Sequence, residues 1–171
     1  MKYDGAIIIS GGFDPIHIGH LRMIKDASKL GKKLIVIANC DRFLVDKKGY
    51  AFMPIEERLE ILESFDGVDK AVESIDDDMT VCKTIEWLTQ EEDIACFANG
   101  GDRKNEDDIP ESMICEKYGI GIITWAPMAM GVLAGRYDDP DKFPKGSRAA
   151  LRGGFYADRV TEKGIEVGRA F

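Results

Sequence analysis

Along the first two-thirds of the chain, short apolar runs alternate with longer stretches of helical period. Residues 6–10 form a β-branched apolar run, the mark of a buried strand. Residues 20–30 place Leu21, Ile24, Ala27 and Leu30 at helical spacing, and Gly31 ends the stretch. A second strand is predicted at 34–38. Pro54 opens a helical turn, Glu56 and Glu57 suit its dipole, and Ile55, Leu59, Leu62 and Phe65 share one face. There follow a short strand at 71–74, a helix at 81–88 behind a Thr80 cap, a strand at 94–98, a helix at 110–118 and a strand at 121–125. Strand–helix–strand order requires crossovers, and crossovers make neighbouring strands parallel. The pattern predicts an α/β fold with a doubly wound, five-stranded parallel sheet.

From about residue 124 the character changes. The tail carries a net charge of +2, against −10 for what precedes it. Pro140 and Pro144 predict a loop over 137–147. Residues 160–171 have a helical pattern that Gly164 and Gly168 weaken, so 148–171 is expected to be mobile or weakly helical. Met128, Met130, Val132 and Leu133 are expected to be buried locally or at a homodimer contact. The division predicted is a domain over 1–125 and an irregular C-terminal extension over 126–171.

Composition narrows the picture. With 171 residues, 44% of them hydrophobic, the chain can build one full-size domain, and it is too short for a TIM barrel of about 250 residues. A net charge of −8 argues against non-specific nucleic-acid binding. No apolar run approaches about 18 residues, so no membrane span is expected. The start lacks the small-residue cleavage site of a signal peptide. Cys40, Cys82, Cys96 and Cys115 are scattered without a C-x-x-C pair, which fits a cytoplasmic protein without a zinc or disulfide framework.

Chemistry concentrates in one segment, Ser10-Gly11-Gly12-Phe13-Asp14-Pro15-Ile16-His17-Ile18-Gly19-His20. It lies between the first strand and the first helix, at the carboxyl end of a parallel sheet, where ligands bind. Gly11 and Gly12 let the backbone approach a phosphate, and the helix N-terminus offers free N–H groups. His17 and His20, the only histidines, are three residues apart and share one side of the first turn, with Gly19 keeping that side open to a flat base or sugar. Taken alone, such a pair reads as a metal pair or as structural histidines.

In context, His-x-Gly-His after a strand and a glycine-rich turn resembles the signature of the cytidylyltransferase-like nucleotidyltransferases. The resemblance covers about residues 3–123 and comes nearest to the glycerol-3-phosphate cytidylyltransferases and heptose-phosphate adenylyltransferases. It implies a Rossmann-like fold of the HUP type. Ser10, Gly11, Gly12, Phe13, Asp14, His17, Gly19 and His20 would bind nucleotide, and Gly101, Asp102 and Arg103 match a loop bordering it. Lys47 and Lys48 match a flexible basic loop that reaches phosphates. Asp41 matches an acidic position near the acceptor, and Arg58 the Pro-x-x-x-Arg start of the next helix. The implied reaction has an acceptor phosphate attack the α-phosphate of CTP or ATP, with release of pyrophosphate. His17, His20 and Lys48 would be catalytic; Asp41, Lys47 and Arg58 are candidates for acceptor or triphosphate. Mg2+ would be carried largely by the phosphates, with Asp14 as a contributor and no dedicated metal site. The implied partners are a nucleoside triphosphate and a phosphorylated polyol or sugar, with no nucleic acid or membrane.

The pattern breaks at the end. The family's second phosphate signature, an Ile-Ser-Ser/Thr-Thr-like stretch, is missing. The stretch from Thr124 through Trp125-Ala126-Pro127 to Gly135-Arg136-Tyr137 instead resembles part of an aldo-keto reductase, without that family's catalytic residues. Three alternatives therefore stand beside an active transferase: a nucleotide-binding module with little turnover, an oxidoreductase fragment, and a class I aminoacyl-tRNA synthetase. The last is disfavoured by length, acidity and the lack of a Lys-Met-Ser-Lys-Ser stretch.

Overall fold

The computed structural model describes residues 3–99, 109–124, 137–152 and 160–170. The chain forms two compact units, Met1–Thr124 and Trp125–Phe171. In the first, the elements run β1 (Ala6–Gly11), α1 (Ile18–Ala27), β2 (Lys33–Ala38), α2 (Asp41–Lys48), α3 (Ile55–Glu63), β3 (Lys70–Glu73), α4 (Cys82–Leu88), β4 (Ile94–Asn99), α5 (Glu111–Lys117) and β5 (Gly121–Thr124). All pairings are parallel, in the order β3-β2-β1-β4-β5.

The alternation of side chains along β1 divides the core. Ile7 and Ile9 pack with Ile24 and Ala27 of α1 and Ile55 and Leu62 of α3. Ala6 and Ile8 pack with Ile85 and Leu88 of α4 and Cys115 of α5. Both faces of the sheet are therefore covered, which is why its strands read as continuous apolar runs rather than as alternating ones. The chain winds from β1 outward to β3, then crosses back to β4 on the other side of β1. That reversal puts a topological switch point between the carboxyl ends of β1 and β4, the place where open α/β sheets bind ligands.

Three local readings need correction. Residues 41–48 are a helix, not a flexible basic loop. Asp41 lies in the first turn and Lys47 and Lys48 in the last, as the helix dipole favours; Gly49 takes the left-handed C-cap with φ 89°. Helix α1 starts earlier than the spacing predicts and ends at Ser28 rather than Gly31. The cap position of α4 is Val81, which makes no side-chain bond, but Thr80 Oγ1 accepts the N–H of Cys82, the first residue of the helix, at 3.3 Å. The next two N–H groups, of Lys83 and Thr84, go to the two oxygens of Asp76, at 2.7 and 3.0 Å.

In the second unit, residues 137–147 contain only turns and an isolated bridge between Asp139 and Lys142. Among the described residues of 148–171, α6 (Arg148–Arg152) and α7 (Glu162–Ala170) are helical. Tyr137, Ala149, Val160 and Ile165 form a small buried cluster with Phe143 beside it, so local packing supports what glycine content disfavours. The expectation for residues 128–133 falls outside the described residues.

Candidate functional site at the first turn

Ser10 and Gly11 end β1, and the chain then turns through Gly12, Phe13 and Asp14 into α1. Phe13 has φ 49°, a left-handed conformation that a bulky residue rarely adopts. Its side chain is fully buried and its ring meets His20 edge-on, with centroids 5.0 Å apart. The Asp14–Pro15 peptide is cis.

His17 is the N-cap of α1. Its Nδ1 accepts the N–H of Gly19 at 3.1 Å, and the main-chain N–H of His17 donates to Nδ1 of His20 at 3.3 Å. The two imidazoles thus complete a reciprocal capping box, a task usually given to Ser or Thr with Glu or Gln. They stack with centroids 3.8 Å apart and planes inclined by 19°. Because each Nδ1 accepts a hydrogen bond, each neutral ring carries its proton on Nε2. Burial, and then the neighbouring His17, lower the pKa of His20 from 6.5 to about 4, so its ring is neutral at pH 7. Gly19 serves a purpose other than the one its sequence suggests. A Cβ there would stand 2.8 Å from Cε1 of His17, so the space it leaves is filled by the His17 ring rather than held open for a base or sugar.

Asp14 faces into the protein. Its side chain is 1% exposed, and its two oxygens accept from Lys48 Nζ at 2.6 Å, the Phe52 N–H at 2.8 Å and the Met53 N–H at 2.6 Å. Burial opposes its ionisation, but the lysine and the two amides outweigh burial and lower its pKa. With both oxygens engaged, Asp14 does not fit a direct magnesium ligand. Among the described residues no group of three or more His, Cys, Asp or Glu is placed to hold a metal.

Lys48 also donates to the main-chain oxygen of Asp14 at 2.8 Å, which brings the end of α2 to the first turn. Lys47 is exposed, with Nζ 5.8 Å from the Phe43 ring centroid. Arg58 departs from the role its motif implies. It is completely buried; Nε donates to Met53 O at 3.0 Å, and Nη1 donates to Gly12 O at 2.8 Å and Asn39 O at 2.7 Å. Nη2 donates to Asp41, whose other oxygen accepts the Ile55 N–H at 3.3 Å. A guanidinium so committed braces the ends of β1 and β2 and does not reach an acceptor or a triphosphate. The periodicity of α3 contains this signal, since Arg58 lies three residues after Ile55 and four before Leu62, on the buried face.

The structure therefore brings Ser10–His20, Asp41, Lys48 and Arg58 together at one end of the sheet. Gly101, Asp102 and Arg103 lie outside the described residues; they follow β4, the strand on the other side of the switch point. Asn39, Phe52, Met53 and Asp76, which support this end of the sheet, were missed by sequence reasoning. Three of them act through main-chain atoms, which leave no side-chain signature.

Comparison with known proteins agrees with this geometry. A cytidylyltransferase-like family model matches residues 8–119. Among curated proteins, the FAD synthase of Ferroglobus placidus is 36% identical over 82 residues, 48% of this chain and 52% of that protein. The FAD synthase of Archaeoglobus fulgidus is 40% identical over 70 residues, 41% of this chain and 50% of that protein. The bifunctional protein HldE of Vibrio vulnificus is 32% identical over 108 residues, 62% of this chain and 21% of that protein. The matches to the FAD synthases thus span about half the length of those relatives. Among solved structures, the lipopolysaccharide core biosynthesis protein of Thermoplasma volcanium GSS1 is 25% identical with a TM-score of 0.57, covering 70% of this chain and 92% of that one. With the family model spanning strands β1 to β4 and the paired histidines of the first turn, this chain belongs to the cytidylyltransferase-like family.

Proposed function

We propose that this protein is a nucleotidyltransferase that moves CMP or AMP from CTP or ATP to a phosphorylated small molecule, of which polyol and sugar phosphates are the first to try. The observation that carries the reading is the histidine capping box. It places two stacked imidazoles, whose Nδ1 atoms each accept a main-chain N–H and whose Nε2 atoms are left to donate, at the N-terminus of α1 and at the switch point of the sheet. An acceptor phosphate oxygen attacks the α-phosphorus, and the bond to the bridging oxygen breaks. Pyrophosphate leaves with the electron pair. Nε2–H groups at this turn would donate to phosphate oxygens as charge builds, beside the positive end of the helix. The His20 ring, neutral at pH 7, needs no protonation step to donate. Any magnesium would be carried by the triphosphate and supply charge neutralisation there, since the Asp14 oxygens are engaged. Lys48 keeps its ammonium at the mouth of the turn. His17, His20 and Lys48 are the residues assigned to catalysis.

A second reading, a nucleotide-binding module with little turnover, is favoured by the missing Ile-Ser-Ser/Thr-Thr-like stretch. In either case the segment from 126 onward is read as an appendage like part of an aldo-keto reductase, and the protein as cytoplasmic. Among the described residues no helix is long and apolar enough to cross a membrane. Pyrophosphate release is the test, with CTP and ATP each offered against glycerol 3-phosphate and sugar phosphates. Release that depends on both donor and acceptor supports the transferase. Binding of triphosphate without release supports the second reading, and absence of both overturns the two together.

A further inference from the structure

The main chain of Asn39 is held on both sides. Its N–H donates to Gly11 O at 2.9 Å, which extends the β1–β2 ladder by one bond, and its carbonyl accepts from Arg58 Nη1 at 2.7 Å. The residue is thus fixed at the carboxyl end of β2, beside the first turn. It is 6% exposed, yet among the described residues no hydrogen bond reaches its side-chain amide. Other buried polar side chains of this unit are bonded. Arg58 meets three carbonyls and Asp41, Ser74 and Thr84 both donate to Asp76, and Glu111 accepts the Val81 N–H. A buried amide without a partner costs stability unless something outside the chain meets it. The carboxylates at this end of the sheet are committed, Asp14 to Lys48 and two amides, Asp41 to Arg58 and the Ile55 N–H. What Asn39 offers is neutral and holds both a donor and an acceptor, so its fitting partner is a neutral group that does both, a hydroxyl.

The place of Asn39 says which molecule carries that hydroxyl. The switch point, where the transferase reading puts the nucleotide, lies between β1 and β4, whereas Asn39 follows β2 on the other side of β1. We propose that Asn39 is a specificity residue: its side-chain amide hydrogen-bonds a hydroxyl on the carbon chain of the phosphorylated acceptor, so the site selects hydroxylated phosphate monoesters over those with a bare alkyl chain. The inference rests on the transferase reading for naming this ligand the acceptor. The unpartnered amide is independent of that reading.

The test uses the full chain as wild type, Asn39→Leu and Asn39→Ala. Leucine has nearly the shape of asparagine without its polar atoms. Urea unfolding is followed by circular dichroism. Glycerol 3-phosphate, ribose 5-phosphate and propyl phosphate are titrated calorimetrically, as are CTP and ATP with magnesium. Wild type should bind glycerol 3-phosphate or ribose 5-phosphate at least about tenfold more tightly than propyl phosphate, which leaves the amide unpaired. Asn39→Leu should unfold at or above the wild-type urea midpoint and bind the three monoesters within about twofold of one another. An amide that serves the fold, directly or through a water, gives the opposite pair of results. A folded leucine variant with a midpoint below wild type, a preference retained in either variant, or no preference in wild type overturns the proposal. Should Asn39→Leu not fold, the titrations of Asn39→Ala decide in the same way. Weaker triphosphate binding in the variants with the monoester preference intact also overturns it. Absence of triphosphate binding from wild type overturns the transferase reading alone, whatever the monoesters show.

Discussion

Replacing Arg58 by lysine separates a buried brace from a ligand-binding arginine. In the wild type, four N–H groups of one guanidinium satisfy Met53 O, Gly12 O, Asn39 O and Asp41. An ammonium is a single point with a shorter reach, so at least two of these acceptors lose their partner. Leaving a buried acceptor unpaired costs about 1–3 kcal/mol, so Arg58→Lys should destabilise by about 2–4 kcal/mol. Arg58→Met removes every bond and the partner of Asp41. Asp41 is 42% exposed and can rehydrate, so the loss should be about 3–5 kcal/mol, mainly from the three carbonyls. Urea unfolding followed by circular dichroism measures both. A phosphate-binding arginine at the surface would behave in the opposite way, keeping stability in the lysine variant and losing affinity. Unfolding of Arg58→Lys within about 1 kcal/mol of wild type, together with a clear fall in triphosphate or acceptor affinity, would refute the reasoning from burial.

Three further outcomes follow from the same geometry. Gly19→Ala should melt near the wild-type temperature, because a gain in helix propensity of about 1 kcal/mol offsets a weakened cap of similar size; its Cβ displaces the His17 ring, so triphosphate affinity should fall about tenfold. The pKa of His20 is depressed, so its stabilising contribution is present above pH 6.5 and is lost as pH falls from 6.5 through about 4. After allowance for its partial exposure, wild type should lose about 1–2 kcal/mol more than His20→Gln between pH 7 and pH 4.5, and equal losses would contradict the burial of that ring. Asp76→Asn should destabilise by about 1–2 kcal/mol in chemical denaturation, since one of the two oxygens receiving α4 N–H groups becomes a donor; an unchanged midpoint would assign the cap elsewhere.

The five strands, their parallel pairing and the first turn were legible because a sheet buried on both faces writes itself as apolar runs separated by helical spacing. The helix at Asp41–Lys48 was in the sequence too. Its acidic start, basic end and Gly49 cap are all there, although the family resemblance implies a basic loop at Lys47 and Lys48. Arg58 and Gly19 were legible as positions and not as roles. The α3 periodicity puts Arg58 on the buried face, but the three carbonyls that satisfy its guanidinium arrive from Gly12, Asn39 and Met53, which no local pattern reports. The same holds for Asp14: its partners Lys48, Phe52 and Met53 are 34 to 39 residues away in sequence. The strand order β3-β2-β1-β4-β5, which sets the switch point beside the histidines, is likewise a property of the folded chain.

The central claim is that Nε2–H groups at the His17–His20 turn hold nucleotide phosphates while the Nδ1 atoms build the helix start. Calorimetric titration of magnesium CTP and magnesium ATP into wild type and His17→Asn tests it most directly. Asparagine presents a side-chain oxygen where Nδ1 stood, is itself a favoured N-cap, and has nothing at the position of Nε2. The account predicts that wild type binds at least one of the two triphosphates. His17→Asn should unfold at the wild-type midpoint but bind about 10- to 100-fold more weakly, the loss expected for one hydrogen bond to a charged group. Triphosphate binding by His17→Asn as tight as wild type, or no binding by wild type at all, would contradict it.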